Sequence, residues 1–101
     1  MAAAKINVDR EKIVEFARKW HLREFSLFGS VLRDDFQPDS DVDVLISFMP
    51  GHAMTLESFI EMRDELRGIF GREVDLVEKQ LVRNPFRRHE ILTTRQVLYA
   101  A

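Results

Sequence analysis

Asp41 and Asp43 lie two residues apart in the run Asp41-Val42-Asp43-Val44-Leu45-Ile46, where an extended chain turns both carboxylates to one side of a sheet. Ten residues separate them from Gly29-Ser30, a pair that follows the apolar run Phe25-Ser26-Leu27-Phe28. A third acid, Asp75, interrupts a second apolar stretch, Glu73-Val74-Asp75-Leu76-Val77. Hard divalent cations such as magnesium take oxygen ligands, usually a few carboxylates together with substrate phosphates. A glycine at the end of a strand lets a phosphate approach the backbone, serine adds a hydroxyl donor, and a helix opening there would attract an anion. Acids and turn together describe metal-dependent phosphoryl or nucleotidyl transfer.

Each part also has a plainer reading. Gly29-Ser30 could be a turn and a helix cap. Asp41 and Asp43 could be the wet side of an edge strand, although aspartate is disfavoured in strands and like charges repel. Asp75 could be an exposed edge residue. If the two acid-bearing strands are neighbours, however, three carboxylates cluster, and a cation resolves their repulsion. Arg33 would lie one helical turn beyond Ser30, placed either to lean toward nucleotide phosphates or to pair with Asp34 or Asp35. His21, His52 and His89 have no spacing that suggests a metal site or triad.

The elements that would position these groups alternate between helix and strand. Asp9 to Trp20 reads as a helix, with Ile13, Phe16, Ala17 and Trp20 at helical spacing and Asn7 or Asp9 as cap. Phe25 to Phe28 reads as a short buried strand, Ser30 to Asp35 as a short helix, and Gln37 to Ser40 as a turn. Val42 to Phe48 alternates: Val42, Val44, Ile46 and Phe48 face one way, Asp41, Asp43, Leu45 and Ser47 the other. A long helix is predicted from Thr55 to about Gly71 and a strand from Arg72 to Val77. A last helix is capped by Asn84 with Pro85 at its first position, before a Val97-Leu98-Tyr99 tail. The expected fold class is α/β (α+β), a mixed β-sheet with helices packed on it, in one domain spanning residues 1–101.

Composition narrows the class. The 101 residues carry 46% hydrophobic side chains, a formal net charge of −2 and no cysteine. A small core is affordable, and a partner or oligomer could supply part of its stability. The charge balance does not point to nucleic acid, and the lack of cysteine excludes disulfides, thiolate zinc sites and a cysteine nucleophile. Met1-Ala2-Ala3-Ala4-Lys5 is not followed by an apolar signal core, and no run approaches the roughly 20 residues needed to span a bilayer. A cytoplasmic protein is therefore expected.

The run LFGSVLRDDFQPDSDVDVLISF resembles the signature of the DNA polymerase β-like nucleotidyltransferases, and most closely that of the minimal nucleotidyltransferases. REVDLV is similar to their third-acid strand and NPFRRHEILTTRQVLYA to their closing segment, so the likeness runs from about Phe25 to Tyr99. It implies that Asp41, Asp43 and Asp75 are catalytic and bind two magnesium ions, with ATP as substrate. Gly29, Ser30 and Arg33 would bind the nucleotide. Where the family often has glycine after that arginine, this chain has Asp34, which affects the turn and not the acids.

Many minimal nucleotidyltransferases are antitoxins that transfer AMP from ATP to a tyrosine hydroxyl of a HEPN-domain ribonuclease toxin. The resemblance implies such a partner and a hetero-oligomer. With no acceptor-binding domain in evidence, the acceptor would be presented largely from outside, and Phe86, Leu98 and Tyr99 are candidate partner contacts unless they close the domain's own core. Two rivals stand beside this expectation: a non-enzymatic antitoxin that acts by forming a complex, and a nucleotidyltransferase with a small-molecule acceptor. Arg83, Arg87, Arg88 and Arg95 form a local basic cluster, which could be solvated charge or a docking face. RNA is not the expected partner.

Overall fold

The computed structural model describes residues 6–101; Met1 to Lys5, and with them the start of the segment assessed for a signal sequence, lie outside the described residues. Three helices, α1 (Arg10–Lys19), α2 (Leu56–Phe70) and α3 (Pro85–Thr94), accompany four strands. These are β1 (Leu22–Phe28), β2 (Val42–Phe48), β3 (Val74–Glu78) and β4 (Gln96–Ala100). The mixed sheet runs β3-β2-β1-β4, with β1 antiparallel to β2 and β4, and β2 parallel to β3. A parallel pair needs a crossover, and α2 makes it.

The helix ends follow local chemistry. Asp9 accepts the Lys12 backbone N–H at 3.3 Å and starts α1. Thr55 and Ser58 form a capping box on α2, and Gly71, in the left-handed region at φ 67°, ends it. Asn84 accepts the N–H groups of Phe86 and Arg87 at 3.0 and 3.1 Å, with Pro85 behind it. Such caps contribute about 1 kcal/mol each.

Both faces of the sheet are covered. On one, Phe25, Leu27, Val42, Val44 and Ile46 pack with α1 and α2 into the main core. On the other, α3 lays Ile91 over Phe28, Leu45 and Val82 in a smaller apolar cluster. The alternation expected for Val42 to Phe48 is present, yet Leu45 and Ser47 on the second face are buried as well. The strand is central rather than an edge, so the wet-edge reading of its aspartates does not hold.

Three expectations need correction. The Val97-Leu98-Tyr99 tail is strand β4, which pairs with β1 and buries Leu98. β1 starts three residues before Phe25, because Arg23 and Glu24 mask its apolar pattern while the pairing with β2 continues to Leu22 past an irregularity at Arg23. The helix expected from Ser30 to Asp35 is a single 3-10 turn over Gly29–Leu32. Arg33 is extended at φ −111° and ψ 159°, and the segment beyond it is organised by Arg72 instead. The Arg72 guanidinium donates to the carbonyls of Gln37 (3.0 Å) and Ser40 (3.3 Å) and lies 4.5 Å from the Phe36 ring centre.

Candidate active site

Asp43 is the centre of the acid face. In the sheet register Phe28 of β1, Asp43 of β2 and Asp75 of β3 lie side by side at one level. The register thus makes Asp43 and Asp75 direct neighbours on adjacent strands, while Asp41 stands two residues before Asp43, just outside β2. Asp43 is half-buried; Asp41 and Asp75 are exposed and hold no hydrogen-bond or ion-pair partner among the described residues.

Electrostatics single out the same residue. Burial raises the Asp43 carboxyl above the ordinary carboxylate range, and the charges of Asp75 and Asp41 add to the rise. The Ser30 backbone N–H facing it and the Arg33 guanidinium work the other way without cancelling the effect. A carboxylate destabilised by its neighbours is a group that gains from a cation.

The Gly29-Ser30 turn is built around this acid. Gly29 has φ 73°, and a Cβ there would stand 2.2 Å from Asp43 Oδ2. No side chain larger than hydrogen fits between the turn and the carboxylate. The turn therefore positions Asp43 directly, beyond the phosphate role expected for it from sequence. Arg33 takes up the pairing that competed with its nucleotide role, donating from Nε to Asp35 at 3.2 Å on the surface.

A cleft of about 350 Å³ opens over Asp43. Gly29, Leu32 and Arg33 form one wall; Arg87, Glu90 and Thr94 of α3 form the other. Asp41, Ser30 and Asp75 are not part of its lining. The α3 wall could not be read from sequence, since nothing local says that this helix crosses the acid face. Its one visible sign is the spacing of Arg87, Glu90, Ile91 and Thr94 along a single helical face.

Long-range ion pairs hold α3 there. Glu24 of β1 accepts Arg95 Nε at 2.7 Å and Lys79 Nζ at 3.4 Å, and Ser26 Oγ donates to it at 2.8 Å. Arg88 donates to the carbonyls of Lys79 (2.7 Å) and Val82 (3.4 Å). The basic cluster of the sequence is thereby divided: Arg88 and Arg95 brace the fold, and Arg87 turns to the cleft.

The donor set suits magnesium, being carboxylate oxygens on adjoining positions, one of them raised in pKa by burial and, beyond that, by its acidic neighbours. No three acids or histidines among the described residues converge into a preformed metal cluster. The three histidines stay on the surface, and His21 and His52 stack with ring centres 4.1 Å apart.

A mixed sheet with aspartates in register beside a glycine-serine turn is the frame of a nucleotidyl-transfer enzyme, and comparison with known proteins agrees. The chain belongs to the nucleotidyltransferase domain family, whose model matches residues 10–98, and it is a nucleotidyltransferase. It is 36% identical over 70 residues to the protein adenylyltransferase MntA of Thermococcus cleftensis, covering 69% of each chain. A solved minimal nucleotidyltransferase superposes with a TM-score of 0.68 at 30% identity, over 86% of both chains. A toxin–antitoxin structure with AMP-PNP has the same fold, with a TM-score of 0.74 at 20% identity over 93% of this chain and 75% of that one. No helix among the described residues is long and apolar enough to cross a membrane.

Proposed function

We propose that this protein is an antitoxin of the cytoplasm that transfers AMP from ATP to a tyrosine hydroxyl of a HEPN-domain toxin, working as a single domain that receives its acceptor from the partner. The observation that carries the reading is the register of Asp43 with Asp75 on adjacent strands, beside a turn that leaves no room for a Cβ. The adenylyltransferase relatives and the toxin–antitoxin structures support the choice of acceptor.

Asp41, Asp43 and Asp75 would hold the magnesium ions. Bound there, magnesium would neutralise triphosphate charge and lower the pKa of the acceptor hydroxyl. Gly29 and Ser30 bring the nucleotide phosphates near the backbone, and Arg33 can exchange its exposed Asp35 partner for a phosphate. The acceptor oxygen attacks the α-phosphorus in line, forming one O–P bond as the bond to the β-phosphate oxygen breaks. Pyrophosphate leaves with the electron pair, and Asp75 would complete the acceptor-side metal site or take the hydroxyl proton. Phe86, 85% exposed in the first turn of α3, offers an apolar contact for the partner; Leu98 is buried and is not available for that role, while Tyr99 is half-buried against the core.

Intact-mass spectrometry of a HEPN-domain toxin, after incubation with the protein, ATP and magnesium, tests the reading. A mass gain of one or more AMP groups, absent with Asp41→Asn/Asp43→Asn, is expected. A stable complex with no mass gain would leave the binding-only antitoxin as the answer.

A further inference from the structure

The cleft over Asp43 has opposite charges in a defined arrangement. Its floor is a carboxylate flanked by Asp75 and Asp41, while an arginine stands in each wall, Arg33 beside the Gly-Ser turn and Arg87 on α3. Arg33 is already paired with Asp35. The Arg87 guanidinium has no hydrogen-bond or ion-pair partner among the described residues: only its backbone N–H is engaged, by Asn84, and Glu90, three positions on and within helical reach, is not paired with it. An unpaired guanidinium in a cleft wall is an anion site with a vacant partner position.

The ligand must satisfy both sets of charges at once. A bare anion would be repelled by the acids on the floor, and a bare cation by the arginines in the walls. A polyphosphate chain with a divalent cation meets both requirements, presenting metal to the carboxylates and outer oxygens to the guanidinium groups. The volume, about 350 Å³, falls at the lower end of small-ligand pockets. The wall that carries Arg87 is also held firmly, through Glu24 to Arg95 at 2.7 Å and through Arg88 to Lys79 and Val82.

We infer that Arg87 is a second phosphate-binding side chain, which grips the β- and γ-phosphates from the α3 wall and orients the pyrophosphate leaving group. The inference rests on the nucleotidyl-transfer reading above and adds a residue to it. It also assigns a task to α3: the helix supplies selectivity for triphosphate over monophosphate.

Calorimetric titration of ATP, ADP and AMP in magnesium against the wild type, Arg87→Ala, Arg87→Lys and Arg83→Ala tests it. Arg83 is the control, a nearby exposed arginine outside the cleft lining. Arg87→Ala should weaken ATP binding about tenfold, as loss of a charge-assisted contact does, and leave AMP nearly unchanged. Arg87→Lys should recover part of the loss, and Arg83→Ala should bind as the wild type. Equal ATP affinity in Arg87→Ala, or equal losses for ATP and AMP, overturns the assignment. A comparable loss in Arg83→Ala does so too, since it would reveal a general charge effect. A wild type that binds no ATP overturns the nucleotide reading itself, and this inference with it. Arg87 is exposed, so an unchanged thermal midpoint is expected to show that the variant folds.

Discussion

Asp43 Oδ2 lies 2.2 Å from the point where a Cβ on residue 29 would stand, so the turn and the central acid occupy each other's space as closely as a glycine permits. Gly29→Ala should therefore do two things. Its positive φ of 73° costs about 1–2 kcal/mol in a residue with a Cβ, and the overlap forces the carboxylate aside. Chemical denaturation should show the combined loss, and transfer activity should fall with it. In an Asp43→Ala background the overlap with Oδ2 is gone, and Gly29→Ala should then cost only the conformational part. Full additivity of the two substitutions would show that the close approach does not matter.

Neutralising the central acid should separate stability from activity. Burial and the charges of Asp75 and Asp41 work against an ionised Asp43. Asp43→Asn should be as stable as the wild type or more so in metal-free buffer, while transfer falls by about two to three orders of magnitude. An unfolded variant would mean that the carboxylate is needed for the turn rather than for the chemistry.

Glu24 gives the opposite pH signature. Burial alone would raise its carboxyl, but hydrogen bonds from Arg95 and Ser26 and the charges of Arg95 and Lys79 outweigh this and hold it below the ordinary range. A lowered carboxyl contributes stability that is fully present above its unfolded pKa and is lost as pH falls through the folded one. Glu24→Gln should cost about 1–2 kcal/mol at pH 7, and its deficit should shrink as pH drops below about 4. A deficit that stays constant from pH 7 to pH 3 would assign the loss to packing.

Arg72 is the fastener of the segment that leads into Asp41. It donates to the carbonyls of Gln37 and Ser40 and stacks on Phe36. Arg72→Ala should cost about 1–2 kcal/mol and speed amide exchange in residues 33–41. Arg72→Lys, which has no planar fork, should recover less than half. Unchanged exchange in that segment would show that it is held by other contacts.

Much of this protein could be read one short stretch at a time. Asp9, Thr55 and Asn84 cap their helices and Gly71 ends one, because a cap involves groups only a few residues apart. The alternation of β2 was legible for the same reason. So was the candidacy of Gly29, Ser30, Asp41, Asp43 and Asp75, whose types and spacing restrict the chemistry before any fold is known. What the sequence could not state were relations between distant segments. That Asp43 neighbours Asp75 is a matter of strand register, and that residue 29 must lack a Cβ depends on where Asp43 sits across the sheet. The tail becomes a strand only because β1 offers it an unpaired edge. Arg87 reaches the cleft because distant segments hold α3 over the sheet: Glu24 anchors its end and Ile91 packs on Phe28 and Leu45. Local hydrogen bonding and side-chain type are written into neighbouring residues; register, helix placement and the shape of a cleft arise only when the chain closes its core.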